Sequence, residues 1–106
     1  MSDLKSKRCI PCEGGIPKLD AEQTRTMLEQ VPGWVAREER LSKTFQFKDF
    51  REAMAFLNRM ADVAESEGHH PDFCVHYNRV DILLWTHAID GLSENDFILA
   101  AKLDAL

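Results

Sequence analysis

Three of the chain's four histidines belong to one pattern: Glu65-Ser66-Glu67-Gly68-His69-His70-Pro71, then Tyr77, His87 and Asp96. Imidazole has an ordinary pKa that lets it donate or accept a proton near neutral pH. Here two of them are adjacent, ahead of a proline that stops the preceding segment, and an acid stands one helical turn upstream. Such a cluster is a candidate site for proton-transfer chemistry or for a metal.

The elements that must carry these residues can be read from the surrounding sequence. The central one is a helix with Asp49 as N-cap and Glu52 at the third position. Phe50, Met54, Leu57, Ala61 and Ala64 recur at helical spacing as its inward stripe, and Gly68 closes it as a left-handed C-cap. Glu65 then lies one turn before the helix end, with His69 and His70 just past it. Strands are expected over 73–77 and 80–87, with Asn78-Arg79 as a tight turn between them.

That turn fixes a register in which facing positions have a constant sum. Tyr77, Val75 and Phe73 face Val80, Ile82 and Leu84 on an apolar side. On the other side His76 meets Asp81, Cys74 meets Leu83, and Asp72 meets Trp85. Extended, this register sets His70 opposite His87. The last helix opens at Ser93 with Asp96 as its capping-box acid, and Leu92 and Phe97 take the positions of a hydrophobic staple.

Upstream, a first helix starts at Asp20 with Gln23 completing a capping box, turns Met27, Leu28 and Val31 inward, and stops at Pro32-Gly33. Strands follow over 34–36 and 41–47, around a charged turn at Arg37 to Arg40. The order α-β-β-α-β-β-α predicts an α+β sandwich, with helices covering one face of an antiparallel sheet.

At 106 residues the chain reads as one domain, residues 1–106, with residues 1–18 a loop-rich lead-in. So small a core favours association into a homodimer or homotetramer. The net charge of −5 speaks against nucleic acid as partner, because that affinity rests on clustered Lys and Arg. No apolar run is long enough to span a bilayer, no signal-peptide core is evident, and three cysteines do not make a secreted disulfide framework, so the cytoplasm is the expected location.

Plainer readings compete. Histidines at a helix C-terminus interact favourably with its dipole, Glu65 fits a solvated helix face, and Asp96 is accounted for by capping. Trp85 and Phe73 fit packing as well as a substrate platform. Cys9-Ile10-Pro11-Cys12 invites a zinc reading, but zinc takes four ligands, and the set would need Cys74 or histidines from the cluster.

The spacing of Glu65, His69-His70-Pro71, Tyr77, His87 and Asp96, with Thr86-His87 and Gly91-Leu92-Ser93 around it, resembles the signature of the pterin-4a-carbinolamine dehydratases, also called 4a-hydroxytetrahydrobiopterin dehydratases. The resemblance implies a four-stranded antiparallel sheet with three helices on one face and assembly as dimers or tetramers. It also implies a hydro-lyase that converts 4a-hydroxytetrahydropterin to quinonoid dihydropterin with neither metal nor cofactor, recycling the pterin used by aromatic amino acid hydroxylases. His69, His70 and His87 correspond to the family's active-site histidines, with Glu65 and Asp96 in the same motif; Glu65, Phe73, Thr86 and Asp96 are the candidates to bind or orient the substrate. Animal members also serve as dimerisation partners of a transcription factor, so a non-catalytic binding module is the alternative, beside a small zinc protein using Cys9, Cys12 and histidines.

Overall fold

The computed structural model describes residues 4–10 and 17–106. The elements are α1 (Ala21–Leu28), β1 (Val35–Arg37), β2 (Arg40–Gln46), α2 (Phe50–Glu67), β3 (Asp72–His76), β4 (Arg79–Leu84) and α3 (Glu94–Asp104), with short 3₁₀ turns at Leu4–Ser6 and His87–Ile89. The four strands form one antiparallel sheet in the order β1-β2-β4-β3. The expected α+β order holds throughout.

Local side-chain chemistry sets the helix starts. Asp20 accepts the Gln23 amide at 2.7 Å while the Gln23 side chain accepts the Asp20 amide at 3.0 Å. Asp49 likewise accepts the Glu52 amide at 2.9 Å. Such caps satisfy amides that have no partner within the first helical turn. Gly68 ends α2 with φ of 66°, a conformation that glycine adopts without a Cβ penalty.

The sheet's covered face is Leu41, Val80, Ile82 and Leu84, each at most 2% exposed. Against it pack Phe56, Leu57 and Met60 of α2 and Phe97, Ile98 and Leu103 of α3. Phe56 sits among the rings of Phe45 and Phe47, with centroids 4.8 and 5.1 Å away. Removing an aromatic ring from such a site costs about 3–5 kcal/mol.

Two expectations about positioning are corrected. The inward stripe of α2 is Ala53, Phe56, Leu57, Met60 and Ala64, not the stripe beginning at Phe50. Phe50 and Met54 are 50% and 38% exposed, because the rings on β2 dock against Phe56 and rotate the first turns of the helix away.

The β3–β4 turn is Tyr77-Asn78, one residue earlier than expected. Val75 faces Val80, Phe73 faces Ile82, Cys74 faces Asp81 and Asp72 faces Leu83. Each side chain keeps its face, but every pairing moves along by two. Tyr77 takes φ of 53°, and Asn78 O accepts the Phe47 amide at 2.8 Å, so the neighbouring strand holds the turn. His70 and His87 are therefore not cross-strand partners, and β4 ends at Leu84 before reaching either.

Candidate active site

The histidines converge by another route. His69 and His70 follow the Gly68 cap, whose geometry bends the chain off α2, and His69 N donates to Ala64 O at 3.2 Å. His87 stands in the loop between β4 and α3. That loop is closed by Thr86 N donating to Gly91 O at 2.8 Å. The Lys18 side chain passes close over Gly91, where a Cβ would lie 2.5 Å from Lys18 Cε and push that side chain aside. His69, His70 and His87 together with Gly68, Trp85 and Ala88 line one open cavity of about 220 Å³.

The histidines are held in different ways. His69 is 6% exposed, and its Nε2 lies 2.6 Å from Oδ1 of the fully buried Asp96. The other oxygen of Asp96 accepts the Ser93 amide at 3.0 Å and the Thr86 hydroxyl at 2.9 Å. A hydroxyl has one proton to give, so the 2.7 Å contact between Thr86 Oγ1 and Ser93 Oγ is a donation from Ser93. Asp96 is thus both the capping acid of α3 and the hydrogen-bond partner of His69. An accepting carboxylate at Nε2 fixes the ring orientation and its tautomer.

His70 Nε2 contacts Oε2 of Glu65 at 2.5 Å, with both side chains mostly in solvent. Glu65 and Phe73 do not line the histidine cavity. They lie with His70, Pro71, Leu57 and Met60 on an adjoining apolar depression of about 160 Å³, so His70 is the wall shared by the two. His87 stacks on the Trp85 indole with centroids 3.8 Å apart. The indole in turn donates Nε1–H to Asp72 at 3.0 Å, so Asp72 and Trp85 meet through their side chains although they are not register partners. The Arg40 guanidinium lies over the same ring at 3.6 Å and donates to Asp90 at 3.0 Å.

Arg40, Asp90 and Ala88 carried no sequence signal. Arg40 reaches the site only because β2 pairs with β4, and Asp90 only because the 87–90 loop folds back on itself. His76 is remote from the cavity. It lies at the turn end of β3, 3.6 Å from Asp81, as a diagonal rather than facing pair. Cys12 lies outside the described residues. Among the described residues, no three His, Cys, Asp or Glu side chains are grouped so as to hold a metal ion.

The fold and the histidine cavity now stand beside known proteins. Residues 17–106 match the family model described as Pterin 4 alpha carbinolamine dehydratase, and the chain belongs to that family. It is 48% identical over 107 aligned residues to a Rubrobacter xylanophilus protein named "Putative pterin-4-alpha-carbinolamine dehydratase", with 100% of each chain covered. A Dechloromonas aromatica protein of the same name is 50% identical, covering 98% of this chain and 93% of its own.

Among solved structures, a transcriptional coactivator/pterin dehydratase from Brucella melitensis superposes with a TM-score of 0.81 at 35% identity, over 84% of this chain and 97% of that one. A pterin dehydratase-like protein described as a RuBisCO assembly factor in the alpha-carboxysome superposes with a TM-score of 0.57 at 27% identity, over 68% of this chain and 83% of that one.

Proposed function

We propose that the protein is a hydro-lyase that dehydrates pterin-4a-carbinolamine, the 4a-hydroxytetrahydrobiopterin type of substrate, to quinonoid dihydropterin and water. The observation that carries this reading is the gathering of three histidines on one cavity in a chain of this family. The substrate carbon bears a hydroxyl next to a ring nitrogen, and the nitrogen lone pair expels the hydroxyl. The reaction needs an acid for the departing oxygen and a base for a ring proton, and positioned histidines supply each at about 10²–10⁴-fold.

In this reading His69 and His87 are the acid–base pair and His70 positions the substrate. Asp96 and Thr86 orient His69 from behind. Glu65 orients His70, and Phe73 flanks it on the apolar side. Trp85 offers a flat surface to the heteroaromatic ring. A metal has no step to perform, because both transfers are of protons. The product re-enters the pterin cycle of an aromatic amino acid hydroxylase. In this reading the molecule works in the cytoplasm as one domain that assembles as a homodimer or homotetramer.

The test is stopped-flow decay of carbinolamine, generated in situ by a hydroxylase, with and without the protein and with a chelator present. Acceleration that survives the chelator is expected. Activity that vanishes on chelation and returns with zinc would favour the zinc reading. The absence of any acceleration would favour a binding module, for which the exposed Phe50 and Met54 are the supporting observation.

A further inference from the structure

The segment 4–10 precedes the stretch matched by the family model, which begins at residue 17, yet it is fastened to the two helix ends that carry the His69–Asp96 pair. Asn95, 1% exposed, is the residue before Asp96. Its side-chain amide pairs with both backbone groups of Ile10. Ile10 N donates to Oδ1 at 3.0 Å, and Nδ2 donates to Ile10 O at 2.7 Å. One residue back, Cys9 N donates to Glu67 Oε1 at 2.8 Å, and Cys9 Sγ lies 3.6 Å from Asn95 O. Glu67 is the last residue of α2, two before His69, and its side chain is 5% exposed. A single dipeptide therefore bonds to the C-terminal end of α2 through Glu67 and to the N-terminal end of α3 through Asn95.

We propose that Asn95 and Glu67 are positioning residues: with the Cys9–Ile10 backbone between them they clip the end of α2 to the start of α3, and so hold His69 within hydrogen-bond reach of Asp96. The need is geometric. His69 and Asp96 are 27 residues apart in sequence, one just past the end of α2 and the other in the first turn of α3. A reacting group must be held to within about 0.5 Å of its productive place. Two further contacts serve the same brace. Lys102 of α3 donates to Lys5 O at 2.8 Å and lies 3.6 Å from Glu67, and Arg8 Nε lies 3.5 Å from the same carboxylate.

The clip has a pH limit. Burial alone would raise the Glu67 pKa, but the Cys9 N–H and the charges of Lys102 and Arg8 outweigh it and hold the carboxyl below its ordinary value. The charged groups facing it are Arg8 from the N-terminal segment and Lys102 from α3. The brace is therefore intact at neutral pH and loosens as pH falls through the lowered value.

This inference rests on the dehydratase reading, and its test separates the two. Full-length Asn95→Ala, Asn95→Asp and Lys7→Ala are compared with the unaltered protein by dehydration kinetics and by the NMR resonance of the proton between His69 Nε2 and Asp96. Lys7→Ala removes a surface pair of the same segment, 2.8 Å from Glu94. Asn95→Ala should lower kcat about 10-fold with KM little changed, as misplacement of a catalytic group does, and should shift or broaden the His69 resonance. Asn95→Asp keeps the acceptor and loses the donor, and should fall between. Lys7→Ala should alter neither readout.

An Asn95→Ala protein with unchanged kcat and an unmoved resonance would overturn the clip. Should Asn95→Ala fail to fold, Asn95→Asp decides by the same two readouts. An inactive parent protein whose His69 resonance still responds to Asn95→Ala would contradict the dehydratase reading and leave the clip standing.

Discussion

His69 and His70 are adjacent in sequence, each bonded to a carboxylate, and built on opposite terms. The His69–Asp96 pair is 6% and 0% exposed and has further partners in Ser93 and Thr86. The His70–Glu65 pair leaves 60% and 77% of its side chains in solvent. An exposed ion pair is worth about 0–1 kcal/mol, whereas a buried carboxylate with several donors cannot lose its role without stranding them. One pair is therefore part of the fold as well as the site. The other, beside His87 on the Trp85 indole, is a solvent-exposed rim of the cavity.

The largest effect expected from this contrast is at Asp96. Asp96→Ala would leave the Ser93 amide, the Thr86 hydroxyl and the His69 ring without their acceptor, costing about 3–5 kcal/mol and lowering Tm along with activity. Thermal unfolding followed by circular dichroism checks the first part. A variant with unchanged Tm would show that the buried pair is not structural. His87→Ala should lower kcat about 10²-fold while leaving Tm nearly unmoved, because the ring lies on an exposed loop.

Glu65→Gln is expected to cost less, about 10-fold in kcat/KM, with no measurable loss of stability. If Glu65→Gln destabilised the protein as much as Asp96→Ala, the distinction between the two pairs would be lost. Last, Glu67 should shape the acid limb of stability. Its folded pKa is lowered, so its contribution is complete above the unfolded carboxylate value and fades as pH falls through the folded one. Glu67→Gln should flatten that limb in urea titrations taken at successive pH values, and an unchanged limb would show that the carboxylate is not linked to folding.

The sequence disclosed what is local and concealed what is tertiary. The caps at Asp20, Asp49 and Gly68 are bonds between near neighbours, and each stands where the residue types placed it. The face of α2 was ambiguous because two apolar stripes share Leu57 and Ala64. The rings of Phe45 and Phe47, in and just after β2, select the stripe containing Phe56 through contacts that helical spacing does not encode. The hairpin register failed for a similar reason. Tyrosine has no preference for positive φ, and the Tyr77-Asn78 turn is held by the Phe47 amide donating to Asn78 O at 2.8 Å.

The histidine motif nevertheless converges, through the Gly68 bend and the Thr86–Gly91 bridge rather than through a strand ladder. Asp96 caps α3 through one oxygen and meets His69 through the other, so a capping signal does not account for all of its contacts. Arg40 was silent in the sequence, since nothing local marks a side chain that will lie over an indole 45 residues away.

The central claim is that the buried His69 and the rim His87 act as one acid–base unit, with His76 at the end of β3 playing no part. It is tested most directly by single-turnover carbinolamine decay in His69→Ala, His87→Ala, the double variant and His76→Ala. The account predicts losses of about 10²-fold or more for each single variant, a double loss well short of their product, as for residues that act together, and a His76→Ala rate equal to the parent's. Losses that multiply fully, or a His76→Ala variant as slow as His87→Ala, would contradict it.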